Sequence, residues 1–384
     1  MFFWLGISAA VVAVLALFIA LEKLSPTPSP ESYVENQLIV KFLEDTTDEQ
    51  IEEIHRKMKC TVIDENRELG LHVVQSKRKV QRMIKSFNKF KEIDYVEPNY
   101  IYKASYTPND TYFPYQYGPQ KIQAPAAWDV TQSDRSVKIA IVDTGVQLNH
   151  PDLANKLLAG YDFVNQDNVP DDGNGHGTHV AGIAAAVTNN SRGIAGVAPL
   201  ASIMPVRVLD NSGSGTLSNI ANGIIFAANQ GAHVINLSLG STQGAITLQN
   251  AIDYAWNKGA VLVAAAGNSG VNTPNYPAYY NNVIAVASTD PDDRKSPFSN
   301  YGRWVEVAAP GTDILSTYTG SYYAYLSGTS MASPHVAGLA ALLADQGKTN
   351  TQIRNVIQNT SDPIPGTGTY WTYGRVNASR AVQS

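Results

Sequence analysis

A chain of 384 residues is longer than one ordinary domain and comfortable for two. Its formal net charge of -5, with no Lys/Arg cluster interleaved with aromatics, excludes a nucleic-acid-binding role. Cys60 is the single cysteine, so no intramolecular disulfide is possible; stability must come from packing, with bound metal as a further source. A lone cysteine outside the stretch that carries the chemistry reads as a small packed side chain.

Phe2 to Leu21 form an apolar run of about 20 residues, the length that spans a bilayer. No Lys or Arg precedes it, and Ala16 to Ala20 makes a poor small-x-small cleavage site. Residues 1–24 are therefore expected to direct export, as a cleaved signal peptide or a retained membrane anchor. Ser25-Pro26-Thr27-Pro28-Ser29-Pro30 cannot pack and marks residues 25–33 as a linker. Gln37–Phe42 then reads as a strand. Thr47–Met58 has helical spacing at Ile51, Ile54 and Met58, with Asp48 and Glu49 favouring its first turn. Leu71–Val74 reads as a second strand, Val80–Phe90 as a second helix and Ile93–Val96 as a third strand. Residues 34–105 thus form a small α+β unit.

From Val137 onward the pattern changes. Short apolar runs recur at Val137–Val142, Ile203–Val208, Val234–Leu239, Ala260–Ala265, Val283–Ala287 and Trp304–Val307. Helical stretches at Ser218–Gln230, Leu248–Lys258 and Ser333–Ala344 separate several of them. Strands apolar on both faces, alternating with helices, predict an α/β domain: a parallel sheet flanked by helices on both faces. In such sheets ligands bind outside the carboxyl ends of the strands. Asp143 follows the first run and Asn268 the fourth, so both fall on that edge.

Those edges carry an acid, an imidazole and a hydroxyl in fixed order: Asp143-Thr144-Gly145, His176-Gly177-Thr178-His179, and Gly328-Thr329-Ser330-Met331-Ala332. A serine hydroxyl becomes a good nucleophile when a base takes its proton and a buried carboxylate orients that base. Taken singly, Ser330 reads as a helix cap and Asp143 or Asn268 as a turn residue. Capping and turns need none of the other segments, and the joint pattern favours catalysis. A zinc pair at His176 and His179 with Asp143 lacks the zincin Glu and would leave Ser330 idle. His179 reads as a hydrogen-bonded structural histidine. The Gly-rich turns fit neither G-x-G-x-x-G nor a P-loop, and no G-x-S-x-G occurs.

Four segments together resemble the subtilisin-type serine endopeptidases, the subtilase family. Ile141-Val142-Asp143-Thr144-Gly145 resembles the aspartate segment and Gly175-His176-Gly177-Thr178-His179-Val180-Ala181-Gly182 the histidine segment. Ala265-Ala266-Gly267-Asn268 resembles the oxyanion segment and Gly328–Ala332 the serine segment. Tyr106-Thr107-Pro108-Asn109-Asp110 and Gly366-Thr367-Gly368-Thr369-Tyr370-Trp371 are similar to the thermitase branch, the heat-stable, calcium-dependent one.

The resemblance implies a subtilisin-like catalytic domain at 106–384 behind a propeptide at 34–105 that acts as folding template and intramolecular inhibitor. Its tail, from Glu97 to Ser105, would lie in the cleft and be cut near Ser105-Tyr106. Ser330 is expected as nucleophile and His176 as general base, with Asp143 orienting it. Asn268 and the Ser330 amide are expected as oxyanion donors. An extended peptide would lie between Ser238-Leu239-Gly240 and Gly213-Ser214-Gly215. Ala265, Gly267 and the stretch near Asn275 would wall the S1 pocket; these segments hold no carboxylate, which points to apolar or aromatic P1 residues. For Ca2+, the resemblance implies Asp110, Asp152 and Asn190 with the carbonyls of Thr188, Arg192 and Ile194, and a second set, Asp162, Asp167 and Asp171. Asn165 stands where that branch has an acidic residue near the second set. The expected product is a secreted, monomeric, broad-specificity endopeptidase acting on proteins and peptides, and touching membrane only through an N-terminal anchor.

Overall fold

The computed structural model describes residues 33–101 and 106–384. The expected apolar span at Phe2–Leu21, the linker at Ser25–Pro30 and the proposed cleavage segment just before Tyr106 lie outside these residues. The chain separates into two compact units, divided between residues 104 and 105.

The N-terminal unit is a four-stranded antiparallel sheet in the order β2-β3-β1-β4, with two helices packed on it. In chain order these are β1 (Tyr33–Phe42), α1 (Asp48–Met58), β2 (Thr61–Asn66), β3 (Leu71–Gln75), α2 (Val80–Phe87) and β4 (Ile93–Tyr100). Leu38, Val40 and Phe42 alternate along β1 and point into one core with Ile54 and Met58 of α1 and Met83 and Phe87 of α2. Thr47 starts α1 through a reciprocal capping box with Gln50, and Lys59 ends it in a left-handed turn at φ 51°. Strand β2 was not expected: all six of its residues are exposed, so it lacks the alternating apolar signal.

One feature of this core is polar. His55 of α1, 7% exposed, stacks on Phe42 and meets His72 of β3 with ring centroids 5.1 Å apart. Neither His55 nitrogen, nor Nδ1 of His72, has a hydrogen-bond partner among the described residues. Burial pushes both pKa values below the ordinary imidazole value, and for His55 the His72 charge adds to it.

The second unit is built on an eight-stranded parallel sheet in the order β14-β11-β10-β9-β8-β5-β7-β6. Its elements run β5 (Lys138–Asp143), β6 (Tyr161–Asp162), α3 (His176–Ala185), β7 (Ser202–Arg207), α4 (Leu217–Asn229), β8 (Val234–Leu237), α5 (Ile246–Asn257), β9 (Val261–Ala265), β10 (Val283–Thr289) and β11 (Val307–Pro310). A hairpin, β12 (Ile314–Tyr318) and β13 (Tyr322–Leu326), leads into α6 (Thr329–Asp345), α7 (Asn350–Thr360) and β14 (Gly374–Arg375). Ile139 and Ile141 of β5 face one core with α3 and α6, while Ala140 and Val142 face another with α4 and α5. This two-sided burial explains the unbroken apolar runs in the sequence. Strand β11 begins later than the Trp304–Val307 run suggests. Trp304 Nε1 donates to the Asn272 carbonyl and Val305 N to the Gly302 carbonyl, which keeps that segment in a turn.

Strand order departs from β5 in two directions, to β7 on one side and β8 on the other, and the crevice at a parallel sheet opens at such a switch. Asp143 ends β5, Ser238 follows β8, Ala265 ends β9, and α3 begins at His176.

The unpartnered histidines give the N-terminal unit a pH dependence. The unfolded chain takes up protons at the ordinary imidazole pKa while the folded unit resists them, so stability is lost as pH falls through that value. In full-length Ser330→Ala protein, hydrogen exchange of α1 and β3, corrected for intrinsic rates, is expected to accelerate between about pH 7 and pH 5. His55→Leu should flatten that response; equal protection at both pH values in the parent would contradict the account.

Candidate active site

The site grows from the end of β5. Asp143 is fully buried, and its Oδ1 accepts both the Thr144 amide (2.7 Å) and Nδ1 of His176 (2.7 Å). Its Oδ2 is buried with no hydrogen-bond partner among the described residues. Nδ1 must carry the hydrogen to bond a carboxylate, which leaves Nε2 free to accept one. Burial works against a charged His176, but the Asp143 charge and hydrogen bond outweigh it, so the His176 pKa stands above the ordinary value. The close approach requires Gly177, because a Cβ there would strike the Gly145 carbonyl and lie 3.2 Å from Asp143 Oδ1. His176 is the first residue of α3, and its side chain keeps 27% exposure toward a cleft.

Ser330 lies in the first turn of α6. Its Oγ donates to the Ser238 carbonyl (3.1 Å), and Ser238 Oγ donates back to the Ser330 carbonyl (2.8 Å). Pro334 makes the second bond available: having no N–H, it cannot satisfy the Ser330 carbonyl four residues back. Ser238, the hydrogen-bond partner of Ser330, and His176 line the same cleft. Ser330 Oγ is directed to Ser238 rather than to His176; hydrogen bonds between catalytic groups often tighten only in the substrate complex.

Asn268 is held from behind. Its Oδ1 accepts from the amide (2.8 Å) and Oγ1 (2.9 Å) of Thr329, which turns its NH2 group the other way. Thr329 Oγ1 in turn accepts from the Gly267 amide (3.0 Å). The Ser330 amide donates to no described group. Among the described residues neither the Asn268 NH2 group nor the Ser330 amide has an acceptor, and both lie at the α6 N-terminus, which favours negative charge.

The two expected substrate edges line one cleft of about 690 Å³: Gly213, Ser214 and Gly215 with Ser238, Leu239 and Gly240. Asn275 sits behind Gly240, close enough that a Cβ on Gly240 would collide with its Nδ2, and also approaches Gly267. Ala265 closes β9 in a buried position outside the cleft lining. Leu209, Leu217, Ile220, Leu248 and Tyr276 complete the cleft and were not foreseen, since they are scattered over several elements and make no local motif. His179 is buried, its Nε2 3.0 Å from the Ala324 carbonyl, and burial depresses its pKa to about 4, as befits a structural histidine.

The two expected calcium sets differ. Asp110 and Asp152 are both buried; Asp110 Oδ1 has no partner among the described residues, while Asp152 accepts from Asn190 Nδ2 (2.7 Å), the Ile194 amide (2.9 Å) and the Tyr323 hydroxyl (3.2 Å). The carbonyls of Thr188, Arg192 and Ile194 accept no hydrogen bond from any described residue. Burial raises the pKa of Asp110, and that of Asp152 to about 6. Desolvated carboxylates beside free carbonyls fit a hard cation. The second set does not fit one. Asp162 is ion-paired with Arg207 (2.7 Å) and accepts from Val164 and Asn165 as well. Asp167 and Asp171 each accept a backbone amide, from Val169 and Leu148. Among the described residues no three carboxylate, His or Cys groups gather as a metal site.

A buried carboxylate holding an imidazole on a cleft, with a serine hydroxyl bonded to another residue of that cleft, is an arrangement that fits a serine hydrolase. Residues 134–380 match the subtilase family and residues 22–99 match the fervidolysin N-terminal prodomain. The chain is 68% identical to thermitase of Thermoactinomyces vulgaris over 279 residues, 72% of this chain and 100% of the relative. It is 54% identical to a thermophilic serine proteinase of Bacillus sp. strain AK1 over 353 residues, 91% of this chain and 88% of the relative. A solved protease from Pseudoalteromonas arctica aligns with TM-score 0.68 and 37% identity, covering 72% of this chain and 99% of that one. The chain belongs to the subtilase family: it is a serine protease with an N-terminal prodomain.

Asn268→Ala removes one of the two expected oxyanion donors and leaves Ser330 and His176 in place. Peptide hydrolysis is expected to lose about 10²–10³ in kcat, the loss such a deletion causes in a subtilisin, with KM little changed. An unaltered kcat in correctly folded enzyme would exclude Asn268 from the oxyanion site.

Proposed function

We propose that this protein is a secreted, monomeric endopeptidase of broad specificity, made as a self-processing zymogen and stabilised by calcium. The observation that carries the proposal is the 2.7 Å bond from His176 Nδ1 to buried Asp143, on a cleft also lined by Ser238, the hydrogen-bond partner of Ser330. In this reading His176 Nε2 takes the Ser330 proton as Oγ attacks the scissile carbonyl. The Asn268 NH2 and the Ser330 amide receive the oxyanion. His176 then protonates the leaving amine, and water, deprotonated by His176, releases the acyl group from Ser330.

Specificity follows from how a substrate is held. Strand-like addition to the backbone edges at Gly213–Gly215 and Ser238–Gly240 makes main-chain hydrogen bonds that every peptide offers. Leu209, Ile220 and Leu248 give the cleft apolar walls, and its lining holds no Asp or Glu. The segments at Ala265, Gly267 and Asn275 proposed to wall S1 hold no carboxylate either, so apolar or aromatic side chains are the expected preference at P1.

The prodomain match supports assigning residues 34–105 as folding template and inhibitor, 106–384 as the catalytic domain, and a cut near Ser105-Tyr106. Export rests on residues 1–24 as signal or anchor. Among the described residues no helix is long and apolar enough to cross a membrane. Calcium would be held by Asp110, Asp152 and Asn190 with the carbonyls of Thr188, Arg192 and Ile194, and its chemistry there is to neutralise two buried carboxylates.

Expressing the full chain as wild type and as Ser330→Ala tests the self-processing reading. Intact mass and N-terminal sequencing are expected to show wild type starting near Tyr106, and the variant retaining its prodomain. A variant that matures alone, in a host lacking other proteases, would contradict autoprocessing. For calcium, the pKa shifts set the sign. Carboxylates with raised folded pKa values cost stability as pH rises through about 6 for Asp152, and a bound cation offsets that cost. An ion at a hundred times its Kd adds about 2.7 kcal/mol. Chelation is thus expected to lower Tm by several degrees at alkaline pH and far less under acid conditions; a pH-independent effect would contradict the assignment.

A further inference from the structure

A second buried carboxylate stands behind the first. Asp172, 7% exposed, precedes α3 and accepts hydrogen bonds at both oxygens. Its Oδ1 takes the Thr144 hydroxyl (2.9 Å) and the amides of Asn174 (2.9 Å) and Gly175 (2.9 Å). Its Oδ2 takes the amide (2.9 Å) and the hydroxyl (2.6 Å) of Thr178. Thr144 Oγ1 also accepts from the Gly177 amide (2.9 Å), while the Thr144 amide donates to Asp143 Oδ1 (2.7 Å). A continuous path therefore runs from the Asp143 carboxylate through Thr144 to Asp172, and from Asp172 to amides on both sides of His176.

A helix cap would need only the α3 amides. The bond to Thr144 goes further, because Thr144 belongs to the strand end that carries Asp143. β5 and α3 are separate elements, and the 2.7 Å contact between Asp143 and His176 depends on their register at this point. Asp172 joins them where that register is set. It also places a second negative charge near the ring that becomes a cation when Ser330 loses its proton. The titratable groups around the His176 ring are Asp143 from β5, Asp172 from the preceding loop, and His179 on α3 itself, which is turned to the Ala324 carbonyl.

We propose that Asp172 is a positioning residue for catalysis, holding Asp143 and His176 in register through Thr144 and supplying the second charge that stabilises the imidazolium. The inference rests on reading Asp143 and His176 as the acid–base pair, and it deepens that reading. Asp172→Asn keeps the size, removes the charge and turns an NH2 group toward N–H donors. Hydrogen bonds to charged groups are worth more than neutral ones, so kcat per titrated active site is expected to fall about ten- to a hundred-fold with KM little changed. The acid limb of the pH profile of kcat/KM should also move to lower pH, because His176 loses a charge that favours its protonated form.

A purely structural role would lower the number of titratable sites and leave the limb where it was; that result would overturn the proposal. Thr144 supplies the second test should Asp172→Asn fail to fold. Thr144→Val cuts the path and keeps the charge, so kcat should fall while the limb stays, and Thr144→Ser should restore kcat. Equal kcat in the Val and Ser variants would remove the path. Asp143→Asn separates the two levels: a loss of about 10⁴ in kcat there, with Asp172→Asn unaffected, sinks only the role of Asp172. No loss in Asp143→Asn sinks the acid–base reading itself.

Discussion

Asp143 has no exposed surface, and a buried carboxylate costs several kcal/mol unless donors surround it. Much of the second unit can be read as the means of meeting that cost at one point. The parallel sheet brings β5 to its carboxyl end between β7 and β8, where Thr144 and His176 converge on a single oxygen. The imidazole is thereby fixed with its second nitrogen toward the cleft. Gly177 allows the approach, Asp172 gathers the loop that precedes the helix, and the Pro334-freed carbonyl of Ser330 ties the proposed nucleophile to the neighbouring strand exit.

Other buried carboxylates in this unit meet the same cost differently, and the differences are informative. Asp162 is neutralised by Arg207 on the adjacent strand, so the loop after β6 needs nothing from outside. Asp172 is surrounded by amides and hydroxyls. Asp152 accepts from the Asn190 side chain, the Ile194 amide and the Tyr323 hydroxyl, and Asp110 from the Asn189 amide, but among the described residues no Lys or Arg pairs with either, and burial raises both their pKa values. A chain with one cysteine has no disulfide to tie its loops, and an unneutralised pair next to free carbonyls is where a bound cation would act as a staple.

Much of this organisation was legible in the sequence because its signals are local. Runs apolar on both faces identify β5 and β7 to β10, but not the two-residue β6, and the Gly-flanked Asp, His and Ser segments mark the strand ends and helix starts that face the crevice. What escaped was decided by tertiary contact. All of β2 is exposed and survives through pairing with β3, so it leaves no apolar alternation. The β12–β13 hairpin is rich in tyrosine and serine and carries no run of the kind that marks the sheet. Thr329 and Asp172 gain their importance from partners far away in the chain or across a turn, which no spacing reveals. The second calcium set rested on the resemblance, which says nothing of Arg207, a residue on another strand that pairs with Asp162.

In the proposed mechanism His176 makes Ser330 nucleophilic. Covalent labelling with a serine-directed fluorophosphonate, followed by intact mass and peptide mapping of the mature enzyme, tests it directly. The account requires a single adduct on Ser330 that forms in step with loss of peptide hydrolysis and is lost in His176→Ala. An adduct on another residue, or undiminished hydrolysis with Ser330 fully labelled, would contradict it.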